Sequence, residues 1–176
     1  MPLPIAHALV GASVVAAVHT RPKSLRHPAA LLAGAFLANA PDLDFFLVFA
    51  LHNRAWHRGF THSLLFACFV GLLFVFCLGR RRARDGVAYG LAFASHCVLD
   101  FLTTKEGGGV ELLWPFSTAR LVLGWAGLSE LPSRLPPLII LKLVAVEVLI
   151  FTPLLLAILF WRRTHARRRN PHTGAT

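Results

Sequence analysis

Five apolar stretches separated by short polar breaks make up most of the chain, at about residues 3–18, 29–51, 63–79, 86–102 and 136–161. Each is read as a helix, the second interrupted near Pro41. The pattern predicts an all-α integral membrane helical bundle of about five apolar helices, four to five of them spanning. Residues 1–163 form a single membrane domain in this reading, and residues 164–176 a basic, disordered cytoplasmic tail. No uninterrupted apolar run reaches the ~20 residues of a spanning helix. The last stretch gets there only if Lys142 snorkels and Glu147 faces protein rather than lipid. Residues 105–137 are richer in Gly, Pro and Ser and are expected to form an extramembrane loop on the side of the amino terminus, with a short helix near Leu121. The first twenty residues lack a basic leader segment and contain His7, so they are read as part of the mature fold.

Composition agrees with the bilayer. Of 176 residues 56% are hydrophobic and only 15% charged, against ~25% in ordinary soluble domains, and mean hydropathy is +0.62. This composition speaks against an ordinary soluble globule and excludes a disordered chain, with a compact soluble all-helical protein of very apolar core as the minority reading. The net charge of +10 first suggests nucleic acid, but its placement argues otherwise. Twelve of the 18 basic residues fall in three clusters, each at the end of an apolar stretch: Arg21, Lys23 and Arg26; Arg80, Arg81, Arg82 and Arg84; and Arg162, Arg163, Arg167, Arg168 and Arg169. With the amino terminus outside, alternating spans put all three on the cytoplasmic side, which is the positive-inside pattern. The expected partners are membrane lipids, with anionic headgroups near the tail, and not nucleic acid. Cys68, Cys77 and Cys97 form no CxxC pair and are read as small buried hydrophobes.

The chemistry lies in His and Asp. His96 and Asp100, four apart, share one helix face, ready to grip a metal ion or to orient each other. His57 and His62 are five apart around Gly59; with His57 in a turn and His62 in the first turn of the third helix, both converge on one point, and Thr61 is a candidate helix cap. Asp42 and Asp44 follow Pro41, which suits a first helical turn, where carboxylates are favoured and offer hard oxygen ligands. Counting from Arg84, His96 lies ~18 Å and Asp100 ~24 Å along the fourth helix. Topology therefore brings His7, Asp42, Asp44, His57, His62, His96 and Asp100 to the outer half of the membrane. Ionisable groups at that depth normally face protein and mark function. Arg58 either clamps an anionic group or pairs with one of the aspartates. His19, His27, His52, His165 and His172, beside basic or loop segments, are given no role.

His7, Pro41-Asp42-Leu43-Asp44, His57-Arg58-Gly59-Phe60-Thr61-His62-Ser63, His96-x-x-x-Asp100 and residues 109–117, ending in Trp114-Pro115-Phe116-Ser117, together resemble the YdjM family of membrane-bound, metal-dependent hydrolases. The resemblance runs from about His7 to Ser117, and the His-Arg-Gly-x-Thr-His-Ser segment is its specific part. It implies an integral inner-membrane hydrolase whose metal ligands are the matching His and Asp positions. The aromatics of residues 114–117 are expected to pack over the site as a lid or interface anchor.

These readings imply one or two divalent ions, zinc or manganese, activating a water that attacks an ester or phosphoester. His57, His62, His96 and Asp42 lead as ligands, with His7 next. Asp100 or Asp44 serves as general base where it is not a ligand. A site at the outer leaflet favours a small-molecule, lipid or lipid-linked substrate. Two rivals use the same ligands: a metal-ion transporter or sensor, which needs a polar path across the membrane, and a non-catalytic protein with a closed structural metal.

Overall fold

The computed structural model describes residues 2–19, 28–104, 108–125 and 136–169, and among these the chain is helical, without a β-strand. Helix α1 (Pro4–Val18) opens on a proline, which suits a first turn because it lacks only an N–H that would go unbonded there. The second apolar stretch is two helices, α2 (Pro28–Leu37) and α3 (Phe45–Leu51); a 3-10 turn at Ala40–Asp44 leads into α3, and the Ala40–Leu51 arm is bent by 48° from α2. Helix α4 (Leu64–Leu78) is capped by Ser63, whose hydroxyl accepts the Phe66 N–H at 3.1 Å. It stops at Gly79, whose φ of +73° is easily adopted by glycine. Helix α5 (Ala83–Thr103) and the long α6 (Pro137–Arg169) complete the set.

Arg80–Thr103 and Pro137–His165 are each long and apolar enough to cross a membrane, and counting each bent pair as one span gives four at most. Among the described residues the upper end of the expected four to five spans would need α1 as well. Its 15 residues reach only ~22 Å, short of a ~30 Å hydrocarbon core. Three other expectations change. Helix α6 continues to Arg169, six residues into the expected tail, while residues 170–176 lie outside the described residues. No helix forms at Leu121, which bonds Val110 across an isolated antiparallel bridge at 2.9 and 3.0 Å. Cys68 and Cys77 lie on the exposed face of α4, and Cys97 alone is buried.

Helix α5 is the centre of the bundle, packed against α1, α2 and α4, and α1 also meets α2 and α6. Small residues set these contacts. A Cβ on Gly90 would lie 2.5 Å from the Gly71 Cα on α4, and a Cβ on Gly11 would lie 2.4 Å from the Gly34 carbonyl oxygen on α2, so only glycine permits such backbone approach. Val15, Ala88 and Ala92 form a tight apolar seam between α1 and α5. Elsewhere α4 and α6 expose Phe69, Leu72, Phe76, Leu149 and Phe160, a surface suited to lipid.

The two ends of the bundle differ. At one end, buried Asp85 lies 3.1 Å from Arg82 Nε and 3.6 Å from His19 Nε2, and the Arg162 guanidinium donates to the carbonyls of Ala17 and His19. His19, expected to have no role, thus helps tie the carboxyl end of α1 to the start of α5. The second and third basic clusters gather at this end. The first lies outside the described residues.

Candidate metal centre

All seven His and Asp residues singled out from the sequence meet at the opposite end. His7 comes from the first turns of α1, Asp42 and Asp44 from the turn between α2 and α3, His57 and His62 from two short turns before α4, and His96 and Asp100 from successive turns of α5. His62 lies in a 3-10 turn, Phe60–His62, and not inside α4; Ser63 takes the capping role expected of Thr61. His7, His62, His96, Asp44 and Asp100 are buried.

Four donor atoms face one another at the centre. His62 Nε2 and His96 Nε2 are 3.0 Å apart. Asp42 Oδ1 lies 3.5 and 3.4 Å from these nitrogens, and Asp100 Oδ2 lies 3.9 Å from each. The other side of each imidazole fixes its tautomer. His96 Nδ1 lies 2.7 Å from the Ala38 carbonyl, which can only accept, so in the neutral ring Nδ1 carries the proton and Nε2 the lone pair. His62 Nδ1 lies 3.1 Å from the Thr61 hydroxyl and 3.3 Å from Asp44 Oδ2, which in the neutral ring leaves the lone pair on Nε2 in the same way. Two lone pairs at 3.0 Å repel unless a proton or cation lies between them. His7 stacks on His96 with ring centroids 3.9 Å apart and brings Nε2 to 3.5 Å from Asp100 Oδ1. Among the described residues Asp42 Oδ1, both oxygens of Asp100 and both nitrogens of His7 are buried without a hydrogen-bond partner. Buried polar atoms are seldom left so, and here five of them share one cluster.

Asp44 differs from the other two aspartates. Its Oδ1 is 2.8 Å from His57 Nδ1, and its Oδ2 accepts from the Arg58 N–H at 2.9 Å and the Thr61 hydroxyl at 3.0 Å, besides lying against His62. It holds the whole turn in place. Arg58 has the positive φ of +61° that is strained for a residue with a side chain. Its N–H bonds Asp44, its carbonyl accepts from Glu111 N at 3.0 Å, and its Nε lies 3.5 Å from Asp100 Oδ2. Of the two readings of Arg58, the structure shows the pairing with an aspartate. His57, stacked on Phe45 at 4.0 Å, stands at the rim and not among the four central donors. Among the described residues, the groups at this end close enough together to hold a cation are His7-His96-Asp100, Asp42-His62-His96 and Asp42-Asp44-His57.

The family model of YdjM inner membrane proteins matches this chain over residues 1–168. The chain belongs to the YdjM family. It is also 42% identical over 116 residues to inner membrane protein YbcI of Escherichia coli (strain K12), a match covering 61% of this chain and 66% of that protein. No solved structure matches it. As a YdjM-family chain it is an inner membrane protein in the coarse sense that family and helices share: membrane-embedded, with two to four possible spans.

In this YdjM-family site, the contribution of residues 108–125 was only partly foreseen. Trp114 packs on Phe60 at 5.8 Å beside the His62 turn, whereas Phe116 is 86% exposed and covers nothing. The brace comes from other residues. Arg120 donates to the carbonyls of Ala55 and His57 at 2.8 and 3.2 Å and lies 3.5 Å from Glu111, and Leu112 O accepts from Leu64 N at 3.0 Å. Neither Arg120 nor Thr61's bond to Asp44 has a signature in local spacing, because both depend on contacts between distant segments.

Proposed function

We propose that this YdjM-family protein is a membrane-bound, metal-dependent hydrolase of esters or phosphoesters, with one divalent cation held by His62, His96, Asp42 and Asp100 and with His7 as a fifth donor. The observation that supports this best is the pair of bare Nε2 atoms 3.0 Å apart, flanked by two carboxylates. Donor separations of 3.0–3.9 Å bracket the roughly 3.3 Å edge of a tetrahedron with ~2.0–2.1 Å bonds. Mixed imidazole and carboxylate donors suit zinc, with manganese second. Such an ion supplies Lewis acidity and a water of lowered pKa.

The chain's own groups have separable tasks. Asp44 orients His62, and the Ala38 carbonyl orients His96. Because the oxygens of Asp44 already serve three donors and lie against His62, Asp44 acts as an orienting group, whereas neither oxygen of Asp100 is hydrogen-bonded and Oδ2 is free to act as a donor to the cation. Arg58 offsets charge at Asp100. The amino-terminal end of α1 and the site face the extracytoplasmic side, opposite the arginine-rich end, and the substrate is lipid or lipid-linked. A transporter would need a polar path across the membrane, and the apolar Val15, Ala88 and Ala92 seam and the uncharged helix α4 weigh against that reading.

The test is element analysis of purified protein with H62A and D100A variants, followed by assay of phospholipid and phosphoester hydrolysis with and without chelator. Bound zinc or manganese lost in both variants, and activity abolished by chelation, are expected. Variants that keep the metal of the wild type, or activity that survives complete metal removal, would refute the proposal.

A further inference from the structure

Helix α6 touches the bundle through α1, and among its described side chains Glu147 alone is buried. Burying a carboxylate in an apolar span is costly unless its oxygens are bonded. Here Oε1 accepts the Leu3 N–H at 2.7 Å and Oε2 accepts the Ala6 N–H at 3.2 Å. Leu3 is the residue before the first turn of α1, Ala6 is the third residue of the helix, and α1 has no side-chain cap of its own. In a capping box two residues of one helix divide these two bonds between them. Glu147 makes both from another helix, with its negative charge at the positive end of the α1 dipole.

The next residue after Ala6 is His7. Its imidazole makes no hydrogen bond of good geometry among the described residues; its place is set by the α1 backbone, by stacking on His96 and by the contact of its Nε2 with Asp100 Oδ1 at 3.5 Å. We propose that Glu147 is a positioning residue for the metal centre: by capping the first turn of α1 it fixes the height and rotation at which His7 presents its nitrogen beside Asp100. The role rests on the metal-site reading above and assigns a functional part to α6, which contributes no donor atom itself.

A double-mutant cycle on the full-length protein in detergent tests it, with zinc affinity read by competition against a chromophoric chelator. Glu147→Leu and His7→Ala are each expected to weaken zinc binding about tenfold, the scale of losing a ligand's support. The double variant should be no weaker than H7A within about twofold, because Glu147 acts through His7. Glu147→Gln keeps one acceptor and should show a smaller loss in the same direction, again absent in the H7A background; it carries the cycle if E147L does not fold. Losses that multiply to about a hundredfold, or an E147L protein that binds zinc like wild type, would overturn the role of Glu147 while leaving the metal site standing. A wild-type protein that binds no zinc or manganese would overturn both.

Discussion

Asp44→Asn separates a carboxylate that orients a ligand from one that is a ligand. The amide is isosteric, so its oxygen can still accept the Arg58 N–H and the Thr61 hydroxyl at 2.9 and 3.0 Å, while its NH2 faces His57 Nδ1, which can switch tautomer to accept. The fold should therefore survive. What is lost is the negative charge 3.3 Å from His62 Nδ1, which holds the proton there and raises the basicity of Nε2. Replacing such a partner typically weakens metal binding 10–100-fold, or about 1.4–2.8 kcal/mol. D44N should thus bind the same amount of zinc as wild type at saturation, with a Kd raised by that factor in chelator competition. Asp42→Asn, which removes the charge of a central donor, should lower occupancy outright. A D44N protein with zinc affinity within twofold of wild type, or one as metal-free as H62A, would refute the division of labour drawn from the distances.

Gly90→Ala puts a methyl group 2.5 Å from the Gly71 Cα, a clash between backbones that no rotamer relieves. A loss of ~1–3 kcal/mol, seen as a lower Tm in detergent, is expected, and an unchanged Tm would contradict the close crossing of α4 and α5. Saturating zinc should stabilise the fold through linkage, by ~4 kcal/mol at a thousandfold excess over Kd, seen as a higher Tm that vanishes in H62A; equal shifts in both proteins would mean that zinc acts elsewhere. The proposed orientation, with the arginine-rich end cytoplasmic by the positive-inside rule, predicts that a carboxyl-terminal fluorescent-protein fusion glows and the matching alkaline phosphatase fusion stays inactive. The reverse pattern would invert the assignment of the site.

The apolar pattern located the helices to within a few residues, because long unbroken apolar runs and the punctuation at Pro41, Ser63 and Gly79 act locally. Convergence of the seven His and Asp residues was also legible, from helix rise and alternation of ends alone. Their division into central donors, orienting groups and rim was not. Asp42 and Asp44 are two residues apart and chemically alike, yet only Asp44 meets the Arg58 amide, which presents itself through a strained φ. The buried Asp85–His19 contact was missed for a related reason. A histidine next to a basic cluster looks solvated until the helix carrying its carboxylate is packed against it. Glu147 was expected to face protein, but the N–H groups of Leu3 and Ala6 that it binds lie more than 140 positions away, beyond any periodic signal.

A break in a membrane helix leaves backbone groups that lipid cannot satisfy, and here one of them is put to use. The buried Ala38 carbonyl, just past the end of α2, fixes the ring of His96. Because every amino acid carries that oxygen, the chemistry is blind to the side chain at position 38. Shape is not: with a methyl group there, a Cβ on Gly11 would already lie 2.4 Å away. Drift at this site should therefore be limited by volume, with glycine and alanine interchangeable and larger residues excluded. A survey that looks only for chemically distinctive residues would pass over one of the supports of the centre.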